Sequence, residues 1–142
     1  MFKNKLVNMM FIILLVLTLV GAVAVVVIMK SKDEPVQTEP SIDEVLESSV
    51  DINDVTTNLV SNHFVRISFK IQTNNKKAAE ELQKREFQAK DIIIKELSDM
   101  KAEDFEGKEG LKKLETNLKA QLNQLMQEGK VIKIYTTSKV LQ

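Results

Sequence analysis

FVRISFKIQT, residues Phe64 to Thr73, decides the fold. Val65, Ile67, Phe69 and Ile71 alternate with Arg66, Ser68, Lys70 and Gln72, and only an extended strand turns a period of two into one buried and one wet face. Just upstream, VDINDVTTNLV (Val50 to Val60) is rich in Val, Ile and Thr but alternates poorly. Ser61-Asn62-His63 then supplies turn chemistry, so the two segments are expected to form an antiparallel hairpin.

Downstream the period changes. After the capping candidates Thr73, Asn74 and Asn75, the residues Ala79, Leu82, Ala89, Ile93, Leu97 and Met100 fall on one side of a helix, widened by Ile92 and Ile94. A second helix is expected from Gly107 to Glu109 onward. Its Leu111, Leu114, Leu118, Leu122 and Leu125 form a stripe in steps of three and four, and Gly129 is read as its C-cap. The stripe covers barely two heptads and a sheet is available to receive it, so it reads as core rather than a coiled-coil seam. The chain ends on VIKIYTTSKVLQ, a β-branched segment with Tyr135 whose mixed pattern reads as an interior strand. The fold class is therefore α+β: a small antiparallel or mixed sheet packed by two helices, in the order β-β-α-α-β.

Toward the N-terminus lies MMFIILLVLTLVGAVAVVVIM, Met9 to Met29, uncharged and interrupted only by Thr18 and Gly21. As a helix it would span roughly 32 Å, the thickness of a bilayer core. A secretory signal has a shorter apolar stretch and a small-residue cleavage site after it, whereas Gly21-Ala22-Val23-Ala24 lies inside this run. An uncleaved anchor is the expectation. The chain has no cysteine to acylate, and the run lacks the Gly-Phe step and following glutamate of a pilin.

The formal net charge of zero hides a polarity. Residues 1–32 carry Lys3, Lys5, Lys30 and Lys32 and no acid, residues 33–62 carry eight acids and no Lys or Arg, and basic residues exceed acidic ones after that. Lysines flank both ends of the span, yet the short N-terminal tail with Lys3, Lys5 and the free amine is expected in the cytoplasm. The expected organisation is a cytoplasmic tail (1–5), an anchor (6–29), an acidic linker with a short amphipathic helix (30–49) and an outer domain (50–142). KSKDEPVQTEP, Lys30 to Pro40, holds both prolines and reads as an extended tether. In SIDEVLESS, Ser41 and Glu44 make a capping box while Ile42, Val45 and Leu46 share one face. So short a helix is marginal alone, so these three residues are the candidate partner or self-association contacts. An exported domain without disulfides must hold together by burial, which fits a bacterial envelope.

Chemistry is sparse in this sequence. His63 is the only histidine and there is no cysteine, so no zinc pattern forms, and Gly107 and Gly110 make no phosphate-binding loop. Glu80-Glu81 and Glu103-Asp104 are paired carboxylates set among lysines, the arrangement of i,i+4 ion pairs on helix surfaces. The lysine-rich helices interleave with acids and lack stacking aromatics, which speaks against nucleic acid. No catalytic residue, cofactor, metal or small-molecule substrate is expected.

Taken in order, the lysine-flanked anchor, the acidic tether, FVRISFKIQT running into KKAAEELQKREFQAKDIIIKEL, then SDMKAEDFEGKEGLKKLETNLKAQLNQLM and GKVIKIYTTSKVLQ resemble the FliL family of flagellar basal-body-associated proteins. No one piece is diagnostic; order and spacing carry the likeness. Lys76, Ala78, Ala79 and Leu82 match the start of the family's first helix and Arg85 its middle. Ala102, Glu103 and Asp104 match the connection, Gly110, Leu114 and Asn123 the second helix, and Gly129, Val131, Tyr135 and Gln142 the closing strand. Phe87 departs from a frequent proline, so less bending is expected there. Thr136 stands where an aromatic is frequent, so weaker aromatic packing is expected.

The resemblance implies a non-enzymatic motor accessory protein at the basal body in the bacterial cell membrane, single-pass, with a stomatin-like outer domain. It further implies a homo-oligomeric ring around or beside the flagellar stator units, supporting torque, swimming or swarming. The residues alone leave open a structural module of another envelope assembly, for secretion or sporulation, and a membrane-anchored envelope enzyme.

Overall fold

The structure, a computed structural model, describes residues 4–32 and 39–142. The expected tail at 1–3 and most of the expected tether, residues 33–38, lie outside the described residues. Two compact units result, Met1–Glu39 and Pro40–Gln142.

The described part of the first unit is one helix, α1 (Lys5–Lys32), whose most apolar 18-residue window within Lys5–Lys30 has a mean hydropathy of 3.3 and is not buried. It is long and apolar enough to cross a membrane. The Thr18 hydroxyl donates to the carbonyls of Leu14 (3.1 Å) and Leu15 (2.9 Å), so the one polar side chain within the run is satisfied by its own helix.

The second unit is α+β. Its elements are α2 (Ile42–Glu47), β1 (Ser49–Asn58), β2 (Phe64–Thr73), α3 (Lys76–Lys84), α4 (Glu86–Ser98), a 3₁₀ turn (Ala102–Phe105), α5 (Gly107–Leu125) and β3 (Val131–Leu141). The three strands form one antiparallel sheet in the order β1-β2-β3. Helices α3, α4 and α5 pack on it. The buried core joins Ile52, Val55, Val65, Ile67, Phe69 and Ile71 from the hairpin to Leu82, Ile93, Leu97, Leu114, Leu118 and Leu122 from the helices.

The poor alternation of the first strand has a cause. The register of β1 against β2 shifts between Ile52 and Val55, where Asp54 takes a left-handed φ of 54°. A bulge of this kind lets two residues three apart share the buried face. The backbone N–H of Asp54 donates to the Ser68 hydroxyl (2.9 Å), which helps bury that supposedly wet residue of β2.

Four expectations need correction. Closing strand β3 is an edge strand, not an interior one. Two register shifts along β2, between Ser68 and Phe69 and between Gln72 and Thr73, exchange its faces, while Val131 and Ile134 are buried and residues beyond Tyr135 are largely exposed. The helix expected between Lys76 and Met100 is two helices meeting at Arg85 (φ −91°, ψ 14°), so the β-β-α-α-β order does not describe the chain as observed.

Phe87 does not keep that region straight, because the bend is held from outside. Arg85 Nε donates to Glu81 Oε1 (2.9 Å) and Nη1 to Gln88 Oε1 (2.8 Å), while Glu81 also accepts the backbone N–H groups of Gln127 and Glu128. Last, α5 ends at Leu125, not at Gly129. Gly129 lies in the following turn, where an added Cβ would come within 2.5 Å of Asn74 Oδ1 and 2.7 Å of the Ala78 Cβ.

Candidate partner-contact site

Helix α2 forms because Ser41 caps it in both directions. The Glu44 N–H donates to Ser41 Oγ (3.2 Å) and the Ser41 N–H to Glu44 Oε2 (3.1 Å), the reciprocal capping box. With only six residues it is held by its exit rather than by propensity. The Ser49 hydroxyl donates to the Val45 carbonyl, and the Ser48 carbonyl accepts both the Thr73 N–H (2.8 Å) and its hydroxyl (2.7 Å). The helix is thereby pinned to the ends of β1 and β2.

This placement separates the three candidate residues. Val45 is half-buried, whereas Ile42 is 71% and Leu46 51% exposed. None of the helix is fully buried, and its apolar pair is left facing outward. Ile42 and Leu46 sit one turn apart on one side of the helix. What such a face can do chemically is bury against another apolar surface, at about 1.5–3 kcal/mol for each large side chain fully covered.

The other polar residues singled out in the sequence have structural roles. His63 donates from Nδ1 to the Ser61 carbonyl (2.9 Å), and the Ser61 hydroxyl accepts the Ala102 N–H (3.0 Å). Asp104 accepts the Lys101 N–H (2.8 Å) and closes the 3₁₀ turn. Glu81 is not a solvated surface acid. Its bonds from the Glu128 and Gln127 N–H groups, with Arg85 beside it, hold its carboxyl below the usual carboxylate range in spite of partial burial. The surface pairs Glu86–Lys90 (3.0 Å) and Asp91–Lys95 (2.8 Å) follow the i,i+4 pattern. Among the described residues no cluster of His, Cys, Asp or Glu is arranged to hold a metal.

Two residues carry structure that sequence reasoning had not assigned. A Cβ on Gly110 would lie 1.6 Å from the Asp104 carbonyl oxygen, so the 3₁₀ turn sits directly on the first turn of α5. Asn123 turns its amide to the start of β3, donating from Nδ2 to the Val131 carbonyl (3.1 Å) and accepting the Val131 N–H (2.7 Å). A glycine and an asparagine within a leucine-striped helix, both poor helix formers, were the available signals.

A small α+β domain with an exposed apolar helix face, following an apolar helix long enough to span a bilayer, is the class these features define. The family described as "Flagellar basal body-associated protein FliL" matches residues 49–142, and the chain belongs to that family. Among curated proteins, "Flagellar protein FliL" of Bacillus subtilis (strain 168) is 43% identical over 115 residues, covering 81% of this chain and 82% of that protein. The chain is thus placed with the accessory proteins of the flagellar basal body.

Proposed function

We propose that the chain is a non-enzymatic accessory of the flagellar motor that sits beside the stator units as a homo-oligomeric ring and supports their activity, with the candidate face on α2 as a contact. In this reading α1 is a single-pass anchor with a cytoplasmic N-terminus, and the stomatin-like domain lies outside the membrane. The observation that carries the contact is the exposed pair Ile42 and Leu46 on one side of α2, an apolar face that the domain itself leaves uncovered.

Anchoring and ring formation raise the local concentration of weak contacts, so modest burial per subunit sums to firm association. Such an assembly favours active stators only by binding their active state better than the resting one. The test is Ile42→Glu with Leu46→Lys in living cells. Motility under load is expected to fall while the protein stays folded and abundant, and site-specific cross-linking from position 46 is expected to trap a stator subunit. Normal swarming by the double variant would overturn the assigned contact. A fluorescent fusion spread evenly over the membrane would overturn the flagellar placement.

A further inference from the structure

Strand β3 pairs with β2 on one side, and among the described residues no strand lies on the other. Alongside that open edge runs a groove of about 270 Å³ between β3 and α5. Three lysines line it, Lys112, Lys119 and Lys133, together with the half-buried Ile132 and the buried Ile134. Glu115 is the one acid there, and it accepts the Thr136 hydroxyl (2.8 Å). Lys112 lies 4.0 Å from the exposed Glu109, and Lys133 stands over the Tyr135 ring at 5.7 Å. Lys119 and Lys133 have no carboxylate partner among the described residues.

A second observation shows what this edge accepts. The Asn123 side-chain amide makes both hydrogen bonds to the Val131 backbone that a neighbouring strand would make. It occupies the outer edge of β3 at Val131 only, and among the described residues no strand pairs with the rest of that edge. An edge strand flanked by a helix is the geometry in which an extended peptide adds to a sheet, its backbone giving affinity and its alternate side chains specificity.

We propose that this groove takes an extended, acidic segment of a partner protein, added to the sheet as a fourth strand on β3. Lysines without carboxylate partners select acidic side chains, and Ile132 offers a seat for an apolar one. A second copy of this chain fits less well. Its other sheet edge, β1, presents Asp51 already paired with Lys70 (3.1 Å) and is bent by the bulge at Asp54. The inference is independent of the α2 contact, since it rests on different elements.

The test uses the full chain in detergent micelles and fluorescence anisotropy of three labelled octapeptides: TEVETEVE, TKVKTKVK, and TEVETEVE with alternate backbone nitrogens methylated. TEVETEVE is expected to bind and TKVKTKVK is not. Lys119→Glu with Lys133→Glu is expected to weaken TEVETEVE about tenfold with an unchanged circular dichroism spectrum. Methylation is expected to weaken it at least as much in the unaltered protein. Equal binding of the methylated peptide, unchanged binding by the lysine variant, or equal competition by polyphosphate would overturn the proposal. So would self-association that the lysine substitutions disrupt while no peptide binds, which assigns the groove to a second copy.

Discussion

Replacing Gly110 by alanine adds one carbon at the tightest point of the molecule. That carbon would stand 1.6 Å from the Asp104 carbonyl oxygen, 2.7 Å from its carbonyl carbon and 3.5 Å from its Cα. Backbone cannot rotate away as a side chain can, so the 3₁₀ turn has to withdraw from α5 by roughly 2 Å to reach ordinary contact. With it would move Phe105, 3% exposed in the core, and the bond from Lys139 Nζ to the Phe105 carbonyl (2.9 Å).

Strain of this kind costs about 1–3 kcal/mol, and full loss of Phe105 burial would cost about 3–5 kcal/mol. Against this, alanine gains up to about 1 kcal/mol over glycine within a helix. The expected net loss is about 2–3 kcal/mol, which for a domain of this size lowers the melting temperature by roughly 8–20 °C. Thermal unfolding of the full chain in detergent, followed at a far-ultraviolet helix band, reads the shift. A Gly110→Ala protein that melts within 2 °C of the unaltered chain (roughly the effect of under 1 kcal/mol) or above it would refute the steric reasoning. Gly21→Ala, with nothing within 4 Å of the added carbon, is the control and is expected to leave the transition in place.

Further outcomes follow from other contacts. Asn123→Ala strands the N–H and carbonyl of Val131 and is expected to cost about 1–3 kcal/mol in urea unfolding, with Asn123→Asp intermediate because it keeps only the acceptor. The Glu81 carboxyl is depressed in the folded state, so its stabilisation is fully present above the unfolded carboxylate pKa and is lost as pH falls through the depressed one. Unfolding midpoints measured from neutral to acid pH are expected to fall less steeply in Glu81→Gln than in the unaltered chain; parallel profiles would contradict the role. Leu46→Lys alone, at a half-exposed position, is expected to leave the melting temperature within about 2 °C while reducing motility, whereas Val45→Glu charges a half-buried site and lowers stability as well.

Much of the domain was legible because burial imposes its period on the sequence. The alternation of Val65, Ile67, Phe69 and Ile71 and the stripe of Leu114, Leu118 and Leu122 are all buried as their spacing predicts. Asn75 caps α3 through the Ala78 N–H (2.8 Å), and Ser41 caps α2, as those residue types imply. What escaped was everything set by contacts distant in sequence. The bend at Arg85 depends on a turn more than forty residues later, through Glu81 and Gln127. The end of α5 depends on Asn123 meeting Val131, and the edge position of β3 depends on which strand takes the centre. The candidate face was visible as a pattern, but only the fold distinguishes exposed Ile42 and Leu46 from half-buried Val45.

The staple from Ser48 to Thr73 has a mechanical consequence. A pull entering the domain at Pro40 and directed along β1 passes through Ser48, whose carbonyl is held twice by Thr73, before it reaches the paired strands. Hydrogen bonds between antiparallel strands lie across the strand direction, so such a load acts in shear on many rungs together rather than peeling them one at a time. Under a load so directed, the β1–β2 ladder resists as one unit.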